Sequence, residues 1–339
     1  MIIADIKVAA PLIRAEIEGA QNILLHLHPK PDSNSIGSTL AMTEWLSSLG
    51  KTVTLIQGDS AVPVAFSILP GVNSIVPKIF FEVDLNKFDL FLIQDTGALN
   101  QISKKGEVIF PNTLKTIIID HHPSNTGFAD VNLITSNYPA TAQILYDLFK
   151  LWSVKIIPSM AVYLLIGLHG DTGGFIHPGI NPGTFSAAAN LLAIAPNYSR
   201  AVSELGNNRE PEEIKFEAMM LANHETYFKN KLRLASISAK QMTKAGIEAK
   251  HTEGGWVSIS LRSIRGCQIA GTLIEFTPGF CRVSLRSRDG EKYDVSKITG
   301  RLNGGGHKAA AGGSINKPFA EAKQELIKTI LEVYSELNS

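Results

Sequence analysis

Two cysteines in 339 residues, Cys267 and Cys281, are too few for a disulfide framework, and no CxxC spacing is present to hold zinc. The longest clean apolar run, Met160 to Leu168, falls far short of the ~20 residues that span a bilayer. No basic segment precedes the first apolar residues, and Asp5 comes early, so no secretory leader is expected. Charge of one sign is missing as well: 32 basic against 31 acidic residues give a formal net charge of +1. A protein gripping long nucleic acid through its phosphates carries a strong basic excess. An anionic substrate is therefore expected to be small or held locally. No fixed-period repeat and no low-complexity tract occurs. What is there is a chain 44% hydrophobic and 19% charged, a composition that supports buried cores and excludes a disordered or collagen-like polymer. A cytoplasmic protein without membrane association is the expectation. At roughly 150 residues per domain the length suggests two domains.

The first half alternates apolar runs with amphipathic stretches. Ile23-Leu24-Leu25, Val53 to Ile56, Leu90 to Ile93 and Ile117 to Ile119 read as strands. Ile36, Leu40, Trp45 and Leu49 recur at near-helical spacing up to Gly50, a helix-terminating glycine. Near-continuous apolar strands separated by helices predict a parallel sheet covered by helices on both faces. Ala140 to Leu151 and Met160 to Leu168 are predicted helices, the second apolar all round and so buried. The character changes near Asn190, and Asn207-Asn208-Arg209-Glu210-Pro211 reads as a connector into a helix through Glu217 and Leu221. Beyond it Leu232 to Ser238, Trp256 to Ser260 and Phe280 to Ser287 alternate as strands do. In the last, Cys281, Val283 and Leu285 share one face, and Arg282, Ser284 and Arg286 the other. Phe319, Ala322, Leu326, Ile330 and Leu337 mark a final amphipathic helix. The predicted class is α/β, with an N-terminal parallel-sheet domain over 1–190, a helical connector over 191–229 and a smaller C-terminal α+β domain over 230–339.

Four polar clusters share one context. His28, Asp32 and Asn34 follow the first predicted strand, Asp95 closes Leu90 to Ile93, Asp120-His121-His122 closes Ile117 to Ile119, and Asp171 follows the run ending at Leu168. Read as four strand ends, they line the crevice where open parallel sheets bind ligands. Carboxylates and imidazoles gathered there repel, or are costly to desolvate, unless a cation neutralises them. Oxygen and imidazole donors without thiolates suit Mn²⁺, Mg²⁺ or Fe²⁺. Two such ions ~3.5–4 Å apart are a standard arrangement for phosphoester hydrolysis. Plainer readings exist: Asp95 as a helix N-cap, and Asp171 before Thr172-Gly173-Gly174 as turn chemistry. His169, His177, His224 and His251 lack the shared context and are read as structural or surface residues.

A second signal is Gly304-Gly305-Gly306-His307-Lys308 with Ala309 to Ala311 and Gly312-Gly313 behind it. Three glycines let backbone N–H groups approach an anion as a nest, His307 and Lys308 add donors, and the alanines suit close helix packing. A plain hairpin or helix entry is the alternative.

Ile119-Asp120-His121-His122 resembles the signature of the DHH phosphoesterases. His28…Pro31-Asp32-Ser33-Asn34…Gly37-Ser38 is similar to their first motif, Asp95 to their second and Gly170-Asp171-Thr172-Gly173 to their fourth. Gly304 to Gly312 resembles the substrate-binding motif of the associated DHHA1 domain. The order is right over nearly the whole chain, and the flavour is that of the bifunctional oligoribonuclease (nanoRNase) and pAp phosphatase branch. The extra OB-type domain of the longer RecJ exonucleases is not expected. The resemblance implies two Mn²⁺ ions, with Mg²⁺ as the alternative: one held by His28, Asp32 and Asp95, the other by Asn34, bridging Asp95, His121 and Asp171. It implies His122 facing the scissile phosphate and Asp120 orienting an imidazole. Arg286, Gly304, Gly305, Gly306 and His307 would clamp a distal phosphate or nucleotide. Asn34 departs from the family, which has an aspartate there, so the second ion loses a negative ligand. The implied activity is metal-dependent hydrolysis of short RNA or DNA oligonucleotides or of small nucleotide phosphates such as pAp. A cyclic-dinucleotide or pApA phosphodiesterase, and a nucleotide-binding protein with catalysis weakened through Asn34, are the alternatives. A homodimer stays open.

Overall fold

Apolar runs buried on both sides pair most favourably with their own kind, and the first half of the chain does this. The computed structural model describes residues 2–177, 179–207, 209–252 and 255–338, so Asn208 of the predicted connector lies outside the described residues. Strands β1 (Ile2–Ile3), β2 (Asn22–His26), β3 (Thr52–Ile56), β4 (Leu90–Gln94), β5 (Lys115–Asp120) and β6 (Val131–Ile134) form one sheet in the order β1-β6-β5-β4-β2-β3. Every pairing in it is parallel. Two residues in β1 and four in β6 are too short to announce themselves by periodicity.

The helices of this unit are α1 (Ile6–Gly19), α2 (Ser33–Ser48), α3 (Thr141–Leu151), α4 (Pro158–Asp171), α5 (Pro182–Ile194) and α6 (Tyr198–Asn207). Strand alternation sends Leu25, Leu92, Ile117 and Ile119 into a core with Leu46, Leu145 and Leu164 of the helices. Leu24, Phe91, Ile93 and Ile118 enter a second core with Phe80, Ile102 and Val108. Both sheet faces are thus covered, but unequally. The α-helices lie on the first face, whereas residues 76–88 and 99–114, on either side of β4, cover the second with single 3-10 turns and loop.

The chain divides into compact units at 1–208 and 209–339, so the helical stretch expected as a connector is shared between them, α6 in the first and α7 (Pro211–Ala222) in the second. The second unit continues with β7 (Glu225–Tyr227), β8 (Leu232–Ile237), α8 (Ala239–Ala245), α9 (Trp256–Ser263), β9 (Ile269–Thr277), β10 (Phe280–Ser287), α10 (Val295–Thr299), β11 (Gly305–His307), β12 (Ala310–Ile315) and α11 (Phe319–Val333). Its sheet runs β11-β12-β10-β9-β8-β7, with only β8 and β9 parallel.

Three readings need correction here. Trp256 to Ser260 is not a strand but the start of α9, because Val257 and Leu261, one helical turn apart, bury together. Five residues were too few to separate period 2 from period 3.6. The small residues Ala309 to Ala311 serve strand packing in and beside β12, not helix packing. Leu337 reaches the core from a 3-10 turn after α11 has ended. Among the described residues no helix is long and apolar enough to cross a membrane.

Candidate metal centre

Strands β5, β4 and β2 are neighbours, and the chain leaves β2 outward to β3 before returning on the other side as β4. That reversal opens a crevice at the carboxyl ends of β2 and β4. His28 follows β2, Asp95 follows β4, and Asp120 ends β5 with His121 and His122 next. Asp171 is not a fourth strand end: it is the last residue of α4. It arrives because glycines let α2 and α4 pack closely. A Cβ on Gly37 would stand 2.2 Å from the Tyr163 carbonyl oxygen, and one on Gly170 2.6 Å from the Ser33 Cβ.

Asp95 is not an N-cap either. Its φ of 53° is left-handed, a conformation Asp tolerates better than most residues, and it turns the carboxylate off the strand. The cap is Asp32, whose Oδ1 accepts the N–H groups of Asn34 and Ser35, both at 2.9 Å, while Oδ2 lies 3.2 Å from His28 Nε2. His121 Nε2 stands 3.0 Å from Asp171 Oδ2 and 3.5 Å from Asp95 Oδ1. His122 Nδ1 donates to Asp120 Oδ1 at 2.7 Å, and Asn125 Nδ2 donates to Asp120 Oδ2 at 2.8 Å. Thr141 Oγ1 donates to Asp95 Oδ1 at 3.1 Å. Asn125 and Thr141 escaped the sequence reading, since nothing in their spacing marks them.

The titration behaviour is that of an anionic pocket. Burial works against charge on His121, but Asp171 and Asp95 outweigh it and hold the ring well above the ordinary imidazole value. The same balance, burial against Asp32, raises His28, and burial against Asp120 raises His122. Burial, opposed by His121 and joined by the charges of Asp95 and Asp32, pushes Asp171 up to about 6. Asp120 is held low despite its burial, chiefly by His122.

Two donor sets, His28-Asp32-Asp95 and Asp95-His121-His122, each bring their ligand atoms within 4.8 Å of one another and share Asp95. Carboxylate and imidazole donors at that spacing fit a divalent cation. Asn34 does not fit as a ligand. Its Nδ2 lies 2.7 Å from Asp95 Oδ1 and 2.7 Å from Asp171 Oδ2, while Oδ1 accepts from the Ala142 N–H at 3.0 Å. A third grouping, Glu210, Glu212 and His251, is spent on structure: His251 Nε2 meets Glu210 at 2.8 Å and Nδ1 accepts the Glu248 N–H. His169 and His224 are likewise structural, on Tyr198 Oη and the Leu221 carbonyl. His177, set aside in the sequence, has Nδ1 3.0 Å from the Asp171 carbonyl oxygen.

In the second unit the glycine run is an edge strand, not a nest. Gly305, Gly306 and His307 pair with Gly312, Ala311 and Ala310. Only glycine allows it at two positions: a Cβ on Gly304 would lie 2.0 Å from the Gly312 carbonyl oxygen, and Gly306 has φ 141°. An outer strand still directs alternate N–H groups away from the sheet. His307, Ala310 and Arg286 occupy one register row, so both long side chains leave the same face with a methyl between them. Arg286 is half-buried, donates to Ser284 Oγ and the Leu285 carbonyl, and pairs with no carboxylate among the described residues. Burial, and then Arg262, weaken its hold on the proton.

Residues 22–168 match the DHH family, N-terminal domain, and residues 252–336 match the DHHA1 domain. The chain belongs to the DHH/DHHA1 phosphoesterases. A probable bifunctional oligoribonuclease and PAP phosphatase NrnA from Streptococcus mutans is 25% identical to this DHH/DHHA1 protein over 328 residues, 96% of this chain and 97% of its own. The protein of the same name from Thermus thermophilus is 26% identical over 309 residues, covering 91% and 88% of the two chains. The crystal structure of an exopolyphosphatase-related protein from Bacteroides fragilis has the same fold, with a TM-score of 0.87, 21% identity and 98% of each chain covered. The DHH match spans the metal-centre candidates from His28 to His122, and the DHHA1 match spans Arg286 and Gly304 to His307.

Proposed function

We propose that this DHH/DHHA1 protein hydrolyses phosphoester bonds in short oligonucleotides or small nucleotide phosphates, with Mn²⁺ as its cofactor and Mg²⁺ as a substitute. The carrying observation is the convergence of His28, Asp32, Asp95, His121 and Asp171 on one crevice at the sheet's switch point. Relatives named bifunctional oligoribonuclease and PAP phosphatase support the substrate class. Near-neutral net charge does too, and two buried free thiols suit a reducing compartment such as the cytoplasm.

His28, Asp32 and Asp95 would hold one ion, and His121 and Asp171 would face a second position beside Asp95. Bound divalent ions acidify water and neutralise phosphoryl oxygens. His122 donates from Nε2 to a phosphoryl oxygen, its other nitrogen being committed to Asp120, and the raised proton affinity keeps the ring a donor. Asp120 fixes the ring's tautomer and direction and is itself fixed by Asn125. Arg286, His307 and the N–H groups that alternate outward along Gly304 to Gly306 would bind a phosphate or the nucleotide.

The test is a panel of pAp, pApA and two- to five-residue RNAs with Mn²⁺, with and without chelator. Release of product that the chelator abolishes is expected, and Asp95→Ala should lose it while keeping its circular dichroism spectrum. Full turnover by Asp95→Ala would refute the site. The donor hydrogens of Asn34 favour a second reading, a nucleotide-binding protein with little turnover. Tight binding of the panel without metal-dependent product would select it.

A further inference from the structure

Asn34 is buried in α2, and its amide has one satisfactory orientation. Oδ1 accepts from the Ala142 N–H at 3.0 Å and the Ser38 hydroxyl at 3.3 Å, and Nδ2 donates to Asp95 and Asp171. Turning the amide over would set its NH₂ against the Ala142 N–H and its oxygen against two carboxylate oxygens. The Ser38 hydroxyl could serve either orientation, but the contacts with the Ala142 N–H and the two carboxylate oxygens would become donor–donor and acceptor–acceptor, so they assign the atoms.

An amide nitrogen has no lone pair to give a cation. The group facing the position between Asp95, His121 and Asp171 is thus a pair of positively polarised hydrogens, one on each carboxylate. That is the electrostatic office of a cation, filled by a neutral side chain. In the set His28-Asp32-Asp95 the amide reaches only Asp95, at Oδ1, because Asn34 meets Asp32 only through its backbone N–H. We infer that the Asn34 amide takes the place of the second cation, so that this chain's centre holds a single divalent ion at His28, Asp32 and Asp95. The inference rests on the metal-centre reading above and narrows it from two ions to one.

The test counts ions. The full chain, stripped with chelator and dialysed against Mn²⁺, is assayed for bound metal by mass spectrometry and for Mn–Mn coupling by low-temperature electron paramagnetic resonance. One Mn²⁺ per chain with the spectrum of an isolated ion is expected. Asn34→Asp, which restores a ligand oxygen, should take up two with a spin-coupled spectrum. Two coupled ions in the wild type, or one in folded Asn34→Asp, would overturn the inference. No ion in either protein would overturn the metal-centre reading itself. If Asn34→Asp fails to fold, the wild-type count alone decides.

Discussion

Asp120 sits behind the chemistry at full burial, with one carboxylate oxygen on His122 and the other on Asn125. A buried carboxylate persists as an anion only if its neighbours supply the hydrogens that water would, and here an imidazole and an amide do so. The arrangement dictates which nitrogen of His122 carries its proton to the interior and which is turned to substrate. Asp120→Asn keeps the shape but offers His122 either a weaker acceptor or a competing N–H. Turnover should fall on the order of 10–100-fold, while bound Mn²⁺ and the thermal midpoint change little. A loss of metal in step with activity would mean that Asp120 supports the ligand set rather than His122. Asn34 makes a related point about residue identity. It looks like a conservative exchange for a carboxylate, yet one oxygen replaced by NH₂ reverses the polarity presented to the crevice.

At the scale of elements, the glycine strand separates a requirement of the backbone from a requirement of the ligand. Gly304 has no space for a methyl group beside the Gly312 carbonyl, whereas a Cβ on Gly305 would meet nothing within 4 Å. Gly304→Ala should therefore detach β11 and lower stability by about 1–3 kcal/mol, the usual cost of overpacking. Gly305→Ala should fold like the wild type in a denaturant titration and yet raise KM, because its methyl group would stand where N–H groups must approach an anion. Unchanged KM in Gly305→Ala would remove the strand from the substrate site. The elements themselves were unevenly legible. β2, β4 and β5 stood out because burial on both faces demands unbroken apolar runs, and their polar ends stood out against those runs. The two-residue β1 and the short α9 had too few residues to show a period. β11 and β12 are written mostly in glycine and alanine, which carry little pattern of faces. The donors of the centre were legible from position, but Thr141, Asn125 and the direction of the Asn34 amide were not. The last is set by an N–H 108 residues away in sequence.

The molecule has two sheets with separate cores, and its packed reporter residues divide between them. Trp45 and Trp152 stack at 4.9 Å within the first unit's helical core, while Trp256 is exposed. Both cysteines belong to the second unit, Cys267 in the core under α7 and α9, Cys281 in the core under α10 and α11. Burial pushes the Cys281 thiol up to about 11, and burial raises Cys267 despite the nearby Arg233, Arg288 and Arg262. The thiolate is the reactive form, so at pH 8 both are doubly protected, by protonation and by the packing around them, and alkylation must wait for opening. Because one sheet separates the two cores, Cys267 and Cys281 should label with a common midpoint in a denaturant series, and widely different midpoints would show that the faces open apart. Because Trp256 of the second unit is exposed already in the folded protein, the change in tryptophan fluorescence on unfolding comes chiefly from the first unit. A ligand that binds only folded protein stabilises what it binds, by about 2.7 kcal/mol at a hundredfold excess over Kd. Mn²⁺ held by His28, Asp32 and Asp95 should therefore move the tryptophan transition upward and leave the thiol transition where it was. A shift of the thiol transition alone would place the ion in the wrong unit.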